Sequence, residues 1–134
     1  MKTIEDVAQY LTDAGTFYLS TEDGDQPKCR PLGMIHLIDG QIYFGIGDFK
    51  DVYRQMSRNP KVEIVACQKG DWLRLYGTAV FEPDYTIANG ILEKAPFLRT
   101  LYNETNGHKL AIFHLENATA EFRSMMKVEE SLRF

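Results

Sequence analysis

Two cations in the middle of the chain, Arg30 and Lys50, stand in contexts that suit a small anion. Gly45-Ile46-Gly47-Asp48-Phe49-Lys50 reads as a strand running through two glycines into the start of a helix. A helix start offers unpaired backbone N–H groups and the positive end of a dipole, and Lys50 in its first turn adds a point charge. Arg30 lies in Gln26-Pro27-Lys28-Cys29-Arg30-Pro31-Leu32-Gly33 and could present a bidentate fork from a neighbouring strand. Gly45 and Gly47 would let a ring system lie close against the backbone. Together these residues form a candidate phosphate site. A third stretch, Trp72-Leu73-Arg74-Leu75-Tyr76-Gly77, is an aromatic-rich strand. Ordinary roles stay open for each of these residues: surface charge for Arg30 and Lys50, a bulge for the glycines, core or interface for Trp72 and Tyr76.

The charge distribution points the same way. The chain carries 15 Lys/Arg against 19 Asp/Glu, a net charge of −4. Between Lys28 and Arg74 the balance reverses, with eight basic and five acidic residues. An acidic protein with a locally basic middle suits a small anionic ligand better than a nucleic acid, which calls for a general basic excess.

The elements that must position these residues are legible from periodicity. Ile4, Val7, Ala8 and Leu11 mark a short amphipathic helix with Thr3 as N-cap and Gly15 as C′ residue. Thr16 to Thr21 reads as a strand ending in the turn Glu22-Asp23-Gly24-Asp25. Arg30 to Ile38 and Gln41 to Gly47 flank Asp39-Gly40, a strong hairpin signal. Asp48 is placed to cap a helix running to about Asn59, with Pro60 stopping it. Strands are expected over Val62 to Gln68 and Trp72 to about Phe81. A helical stretch from Asp84 to about Tyr102 should break at Gly90 and Pro96. Leu110 to Leu115 and Thr119 to Met125 read as a closing hairpin across Glu116-Asn117-Ala118. The pattern predicts one domain over residues 1–134, mainly β with peripheral helices, built as an antiparallel barrel.

Several classes of chemistry have no residues to carry them. Cys29 and Cys67 fit no metal or redox spacing, and His36, His108 and His114 are scattered, so no metal site is expected. There is no GxSxG, P-loop or GxGxxG motif. A catalytic role would therefore depend on a bound cofactor. No apolar run approaches the roughly 18–20 residues of a membrane span. Free thiols and an N-terminus without a signal h-region set the expectation of a cytoplasmic protein.

Four stretches in order carry a family resemblance: Gly15–Thr21, Gln26–Gly33, Ile42-Tyr43-Phe44 through Met56 with Asn59–Glu63, and Trp72–Gly77. The sequence resembles the FMN-binding split-barrel proteins related to pyridoxamine 5′-phosphate oxidase, particularly short bacterial members grouped with nitroimidazole-resistance proteins. The resemblance implies a six-stranded antiparallel split β-barrel forming a homodimer, with FMN at the subunit interface. It places the FMN phosphate on Arg30 and Lys50. Pro31, Leu32, Gly33, Gly45, Ile46, Gly47 and Phe49 would line the rest of the cofactor, and Trp72 and Arg74 would reach it from the partner subunit. It further implies an oxidoreductase acting on a small molecule, with NAD(P)H as a candidate electron donor. The alternatives are a non-catalytic flavin-binding or sensing protein and a haem- or deazaflavin-binding relative. Glu129–Phe134 offers a single arginine, so pyridoxamine-phosphate oxidase activity itself is not expected. Asp48 is compatible with a nearby phosphate only if it faces away as a helix cap. Tyr18, His36 and Tyr76 are equivalent candidates for proton chemistry, and none is singled out.

Overall fold

The N-terminal helix forms where local chemistry dictates it. In the computed structural model, which describes all residues Met1–Phe134, α1 spans Ile4–Ala14. Thr3 N donates to Asp6 Oδ2 (2.8 Å) and Asp6 N donates to Thr3 Oγ1 (3.3 Å), a reciprocal capping box. Gly15 ends the helix at φ +77°, a conformation that suits glycine. Val7, Ala8 and Leu11 turn the apolar stripe of α1 onto the sheet.

Eight strands follow: β1 Phe17–Asp23, β2 Gln26–Leu32, β3 Ile35–Ile38, β4 Gln41–Gly47, β5 Lys61–Gln68, β6 Asp71–Phe81, β7 Leu110–Arg123 and β8 Val128–Arg133. Helix α2, Asp51–Arg58, lies between β4 and β5. Helix α3, Thr86–Lys94, and a 3₁₀ turn, Pro96–Thr100, lie between β6 and β7. All pairings are antiparallel, in the order β2-β1-β5-β6-β7-β4-β3, with β8 also on β7. The terminal strands β2 and β3 do not pair with one another, so the curled sheet remains a split barrel. No helix is long and apolar enough to cross a membrane.

The sheet departs from the sequence expectation in three places and the α3 segment in one. The strand expected from Arg30 to Ile38 breaks at Gly33-Met34 into β2 and β3, which pair with different neighbours. The hairpin expected across Glu116-Asn117-Ala118 is one continuous strand. Asn117 takes φ +51° as a bulge, and the pairing with β6 shifts register between Tyr76 and Thr78. Gly77 faces this bulge; a Cβ there would meet Ala118 Cα and Glu116 O at 3.0 Å. β8 was not expected, and eight strands replace six. Its backbone exchanges hydrogen bonds with the bulge, Ala118 N to Phe134 O at 2.7 Å and Phe134 N to Ala118 O at 2.9 Å. Gly90 stays inside α3; only Pro96, which cannot continue the helical ladder, divides the segment.

One main core fills the barrel, with Phe17, Phe44, Phe113, Leu11, Leu19, Met56, Ile64, Leu73 and Leu75 almost fully buried. A smaller cluster lies outside the barrel, where Ala88, Ile91 and Leu98 cover Leu110 and Ile112 of β7. The strand can serve both cores because successive side chains point to opposite faces. That outer cover brings Tyr102 alongside the start of α2.

Candidate functional site

Arg30 is the organising residue of the basic middle. It pairs with Leu19, which faces the barrel core, so its side chain leaves β2 on the core side at the open edge of the sheet. There Nη1 donates to Thr21 Oγ1 (2.7 Å) and Leu19 O (3.2 Å), and Nη2 donates to Gln55 Oε1 (2.8 Å). Thr21 Oγ1 in turn donates to Gln55 Oε1 at 2.6 Å. Thr21 and Gln55 are the two buried polar residues of the chain, and each is satisfied by this network. Burial holds the Arg30 pKa below its ordinary value, while the guanidinium remains the charged form across any practical pH range.

Every acceptor that holds Arg30 is neutral. No carboxylate lies within salt-bridge distance of Arg30 or of Lys50. Most other arginines near the middle of the chain are neutralised in place. Arg54 meets Asp51 at 3.0 Å, and Arg74 meets Glu63 at 3.4 Å. Lys28, Arg58, Lys61 and Lys69 likewise have no carboxylate partner, but of these unpaired cations only Arg30 and Lys50 line this hollow, of about 410 Å³. That is within the roughly 300–1,000 Å³ typical of small-molecule sites.

The walls of this hollow are Arg30, Pro31 and Leu32 from β2, Gly45, Ile46 and Gly47 from β4, Lys50, Asp51 and Val52 at the start of α2, and Tyr102. Seven of these were expected from sequence. Asp51, Val52 and Tyr102 were not, and neither were Thr21 and Gln55, which hold Arg30 in place. Gln55 did leave a trace in the sequence. It sits at i+3 from Val52 and i−1 from Met56, a polar residue on the buried stripe of α2. Tyr102 left none, because it belongs to an irregular segment brought near α2 only by the packing of α3.

Lys50 is the N-cap of α2 rather than a residue of its first turn, and no side chain caps the helix. Asp48 does not cap it. Asp48 N donates to Lys109 O (3.0 Å), and Asp48 Oδ1 accepts from Lys109 N (3.0 Å), which commits this carboxylate to the start of β7. The N–H groups of the first turn of α2 therefore have no side-chain cap competing with a ligand. Asp51, the one acid on the wall, is engaged by Arg54.

The glycines contribute backbone atoms to the wall, but their open sides are taken by the chain itself. A Cβ on Gly45 would collide with Met34 Sδ and meet Leu110 Cδ1 at 3.0 Å. One on Gly47 would meet the Phe49 ring at 2.6 Å. Phe49 is half exposed at the edge of the hollow and stacks on His108 with ring centroids 3.7 Å apart. Gly33 lies in the break between β2 and β3, just beyond the wall.

Trp72 and Arg74 stand elsewhere. Arg74 pairs with Val65, which pairs with Tyr18, and Tyr18 pairs with Pro31, a row on the opposite face from Arg30 and Leu19. The Trp72 ring has the guanidinium carbons of Arg74 at 5.0 Å and Arg123 at 4.9 Å. Within one chain they do not line the hollow. Tyr18 and Tyr76 on the same outer face are 46% and 38% exposed, an unusual amount of aromatic surface for a strand face. Of the other proton-transfer candidates, His36 is half-buried, and burial followed by the charge of Lys94 lowers its pKa. Burial, and after it the charge of Asp48, raises the Tyr102 pKa, so its hydroxyl keeps its proton at neutral pH.

A family model described as pyridoxamine 5′-phosphate oxidase matches residues 3–121. Among solved structures, a NimC/NimA family protein from Clostridium acetobutylicum is 30% identical with a TM-score of 0.85. The match covers 98% of this chain and 93% of that one. A FAD-binding protein from Mesorhizobium loti shares the fold at 18% identity and TM-score 0.59, covering 92% of this chain and 96% of that one. A heme binding protein from Mycobacterium smegmatis shares it at 12% identity and TM-score 0.67, covering 99% of this chain and 59% of that one. No curated protein matches the chain.

Proposed function

The chain belongs to the pyridoxamine 5′-phosphate oxidase family, and we propose that its hollow between Arg30 and Lys50 binds FMN through the phosphate. One observation carries this reading. Arg30 is a half-buried cation fixed by neutral acceptors, it faces a second unpaired cation across a cavity of small-molecule size, and no carboxylate of the chain neutralises either. An anion is the partner such a site lacks.

In this reading Arg30 and Lys50 bind the phosphate, and Thr21 and Gln55 keep the fork aimed. Pro31, Leu32, Gly33, Gly45, Ile46, Gly47 and Phe49 border the remainder of the ligand. Bound flavin supplies hydride or electron transfer, which no side chain of the protein offers by itself. The function proposed is accordingly an FMN-dependent oxidoreductase of a small molecule, with NAD(P)H as candidate donor. Trp72 and Arg74 on the outer face serve the site only if a second copy brings them to it, so the reading includes a homodimer. Haem finds less support in the site. None of the three histidines lines this hollow, and both ring nitrogens of His114 are already bonded, to Glu82 at 2.8 Å and Glu116 at 2.9 Å.

The test is titration of the purified protein with FMN and with riboflavin, followed by flavin fluorescence. FMN should bind more tightly than riboflavin, and the difference should vanish in the double variant Arg30→Ala plus Lys50→Ala. Equal affinity for the two flavins in the wild type would overturn the phosphate assignment. Faster NAD(P)H oxidation by the loaded protein is the outcome expected of an oxidoreductase. Tight FMN binding with no such turnover against any acceptor would leave a binding or sensing protein instead.

A further inference from the structure

A second hollow of about 470 Å³ lies between α3, the 102–109 segment and the beginning of β7. It adjoins the first through Tyr102, which lines both, and through the Phe49–His108 stack at their common edge. Its inner wall is apolar and aromatic, formed by Tyr85, Leu92, Tyr102 and Leu110. Its one permanent cation is Lys109. The Lys109 ammonium lies 4.9 Å from the centroid of the Tyr85 ring, and no carboxylate comes within salt-bridge distance of it. The backbone of Lys109 is clamped on both sides by Asp48, so the side chain leaves from a fixed point. Glu104 is the one acid on the lining, in the exposed 104–107 turn. Glu82 and Asp84 border Tyr85 and Lys109 from the neighbouring side.

We propose that this hollow is the substrate compartment and that it takes a planar, aromatic anion. The ring would lie among Tyr85, Tyr102, Leu92 and Leu110, and its negative group would reach Lys109. A hollow with an aromatic and apolar inner wall, Asn89 and Asn103 on its lining and one cation selects for that combination, because the aromatic wall gains from burying a flat ring while the cation fixes its orientation. The Lys109 ammonium is exposed and lies against the half-exposed Tyr85 ring, so it is free to take a counter-anion at the mouth of the hollow. The assignment deepens the flavin reading and rests on it for the word substrate. Occupancy of the compartment itself does not depend on flavin.

The experiment uses 2-naphthoate and its neutral isostere 2-naphthamide as probes, titrated against the full chain saturated with FMN and without FMN. 2-Naphthoate should bind in both states, and more tightly than the amide. Lys109→Met should weaken naphthoate by about tenfold or more, the scale of a lost charged hydrogen bond, and leave the amide unaffected. Tyr85→Leu, which keeps the apolar wall, should weaken both probes by a smaller factor. FMN affinity and thermal midpoint should stay unchanged in Lys109→Met, separating a lost contact from a lost fold. Equal binding of acid and amide, unchanged binding in Lys109→Met, or displacement of naphthoate by FMN would each overturn the proposal. Naphthoate binding by a protein that does not bind FMN would support the compartment and reject the flavin reading.

Discussion

Arg30 shows how a surface-type residue acquires a specific task. In the sequence it is one of eight cations between Lys28 and Arg74. In the fold it alone among them is anchored by two buried neutral side chains, Thr21 and Gln55. Arg30→Ala should weaken FMN by ~10- to 100-fold, as the ~1.5–3 kcal/mol of a charged hydrogen bond implies. Arg30→Lys should rescue little, since one ammonium cannot satisfy both acceptors and keep an aimed fork. Fluorescence titration of the two variants separates these outcomes. Gln55→Leu would leave the Thr21 hydroxyl and one Arg30 N–H short of a buried acceptor, at a cost of about 1–3 kcal/mol in urea unfolding. It should also loosen FMN without removing any group that touches it. Lys50 was legible because a cation at a strand-to-helix junction is a local pattern, and Arg30 as a cation on a strand expected beside it, in a stretch that carries the family resemblance. The anchors of Arg30 were not, because Gln55 is separated from it by 25 positions and meets it only through packing.

Helices and hairpins were legible where short-range chemistry decides them. The Thr3–Asp6 box, Gly15 and the Asp39-Gly40 turn, with φ +50° and +78°, formed as the residues indicate. The Asp6 carboxylate is held below its usual range first by the Thr3 N–H and then by the Thr3 hydroxyl. A depressed carboxylate stabilises the fold fully above its unfolded pKa and loses that effect as pH falls through the lower folded value. Wild type and Asp6→Asn should therefore differ in thermal midpoint at pH 6 and converge in strong acid. The β7 strand was misread because Asn117 is equally suited to a turn and to a bulge, and only the partner strand decides between them. Gly77 is that decision in structural form. Gly77→Val would push a branched side chain into Ala118 and Glu116, destabilising the protein by about 1–3 kcal/mol. Chemical denaturation would measure it, and a loss under a few tenths of a kcal/mol would mean the bulge yields freely.

The exposed outer face is the surface that the proposed homodimer would use. Tyr18, Trp72, Arg74 and Tyr76 share that face, with two tyrosines more than a third exposed. Aromatic and arginine side chains are those most enriched at the centres of interfaces. The homodimer proposed above should elute with twice the 15.4 kDa chain mass in light scattering. Tyr18→Glu plus Tyr76→Glu should shift it toward monomer. If the flavin site is shared, the same double variant should lose FMN affinity although both substitutions lie outside the Arg30 hollow. A stable monomer that binds FMN as tightly as the wild type would separate the cofactor site from the assembly.

The amino-acid sequence by itself determined the strand-rich pattern, the capped first helix, the tight hairpin and the concentration of cations around a glycine-bearing strand-to-helix junction. Each depends on residues within a few positions of one another. The tertiary structure alone decided which cations remain unpaired, which polar residues aim Arg30, that Trp72 and Arg74 face away from it, and that Tyr102 joins two hollows. These outcomes depend on strand register and on how α3 packs over β7. A one-residue change of register turns a strand's side chains to the other face, and only the whole set of pairings settles which register is kept.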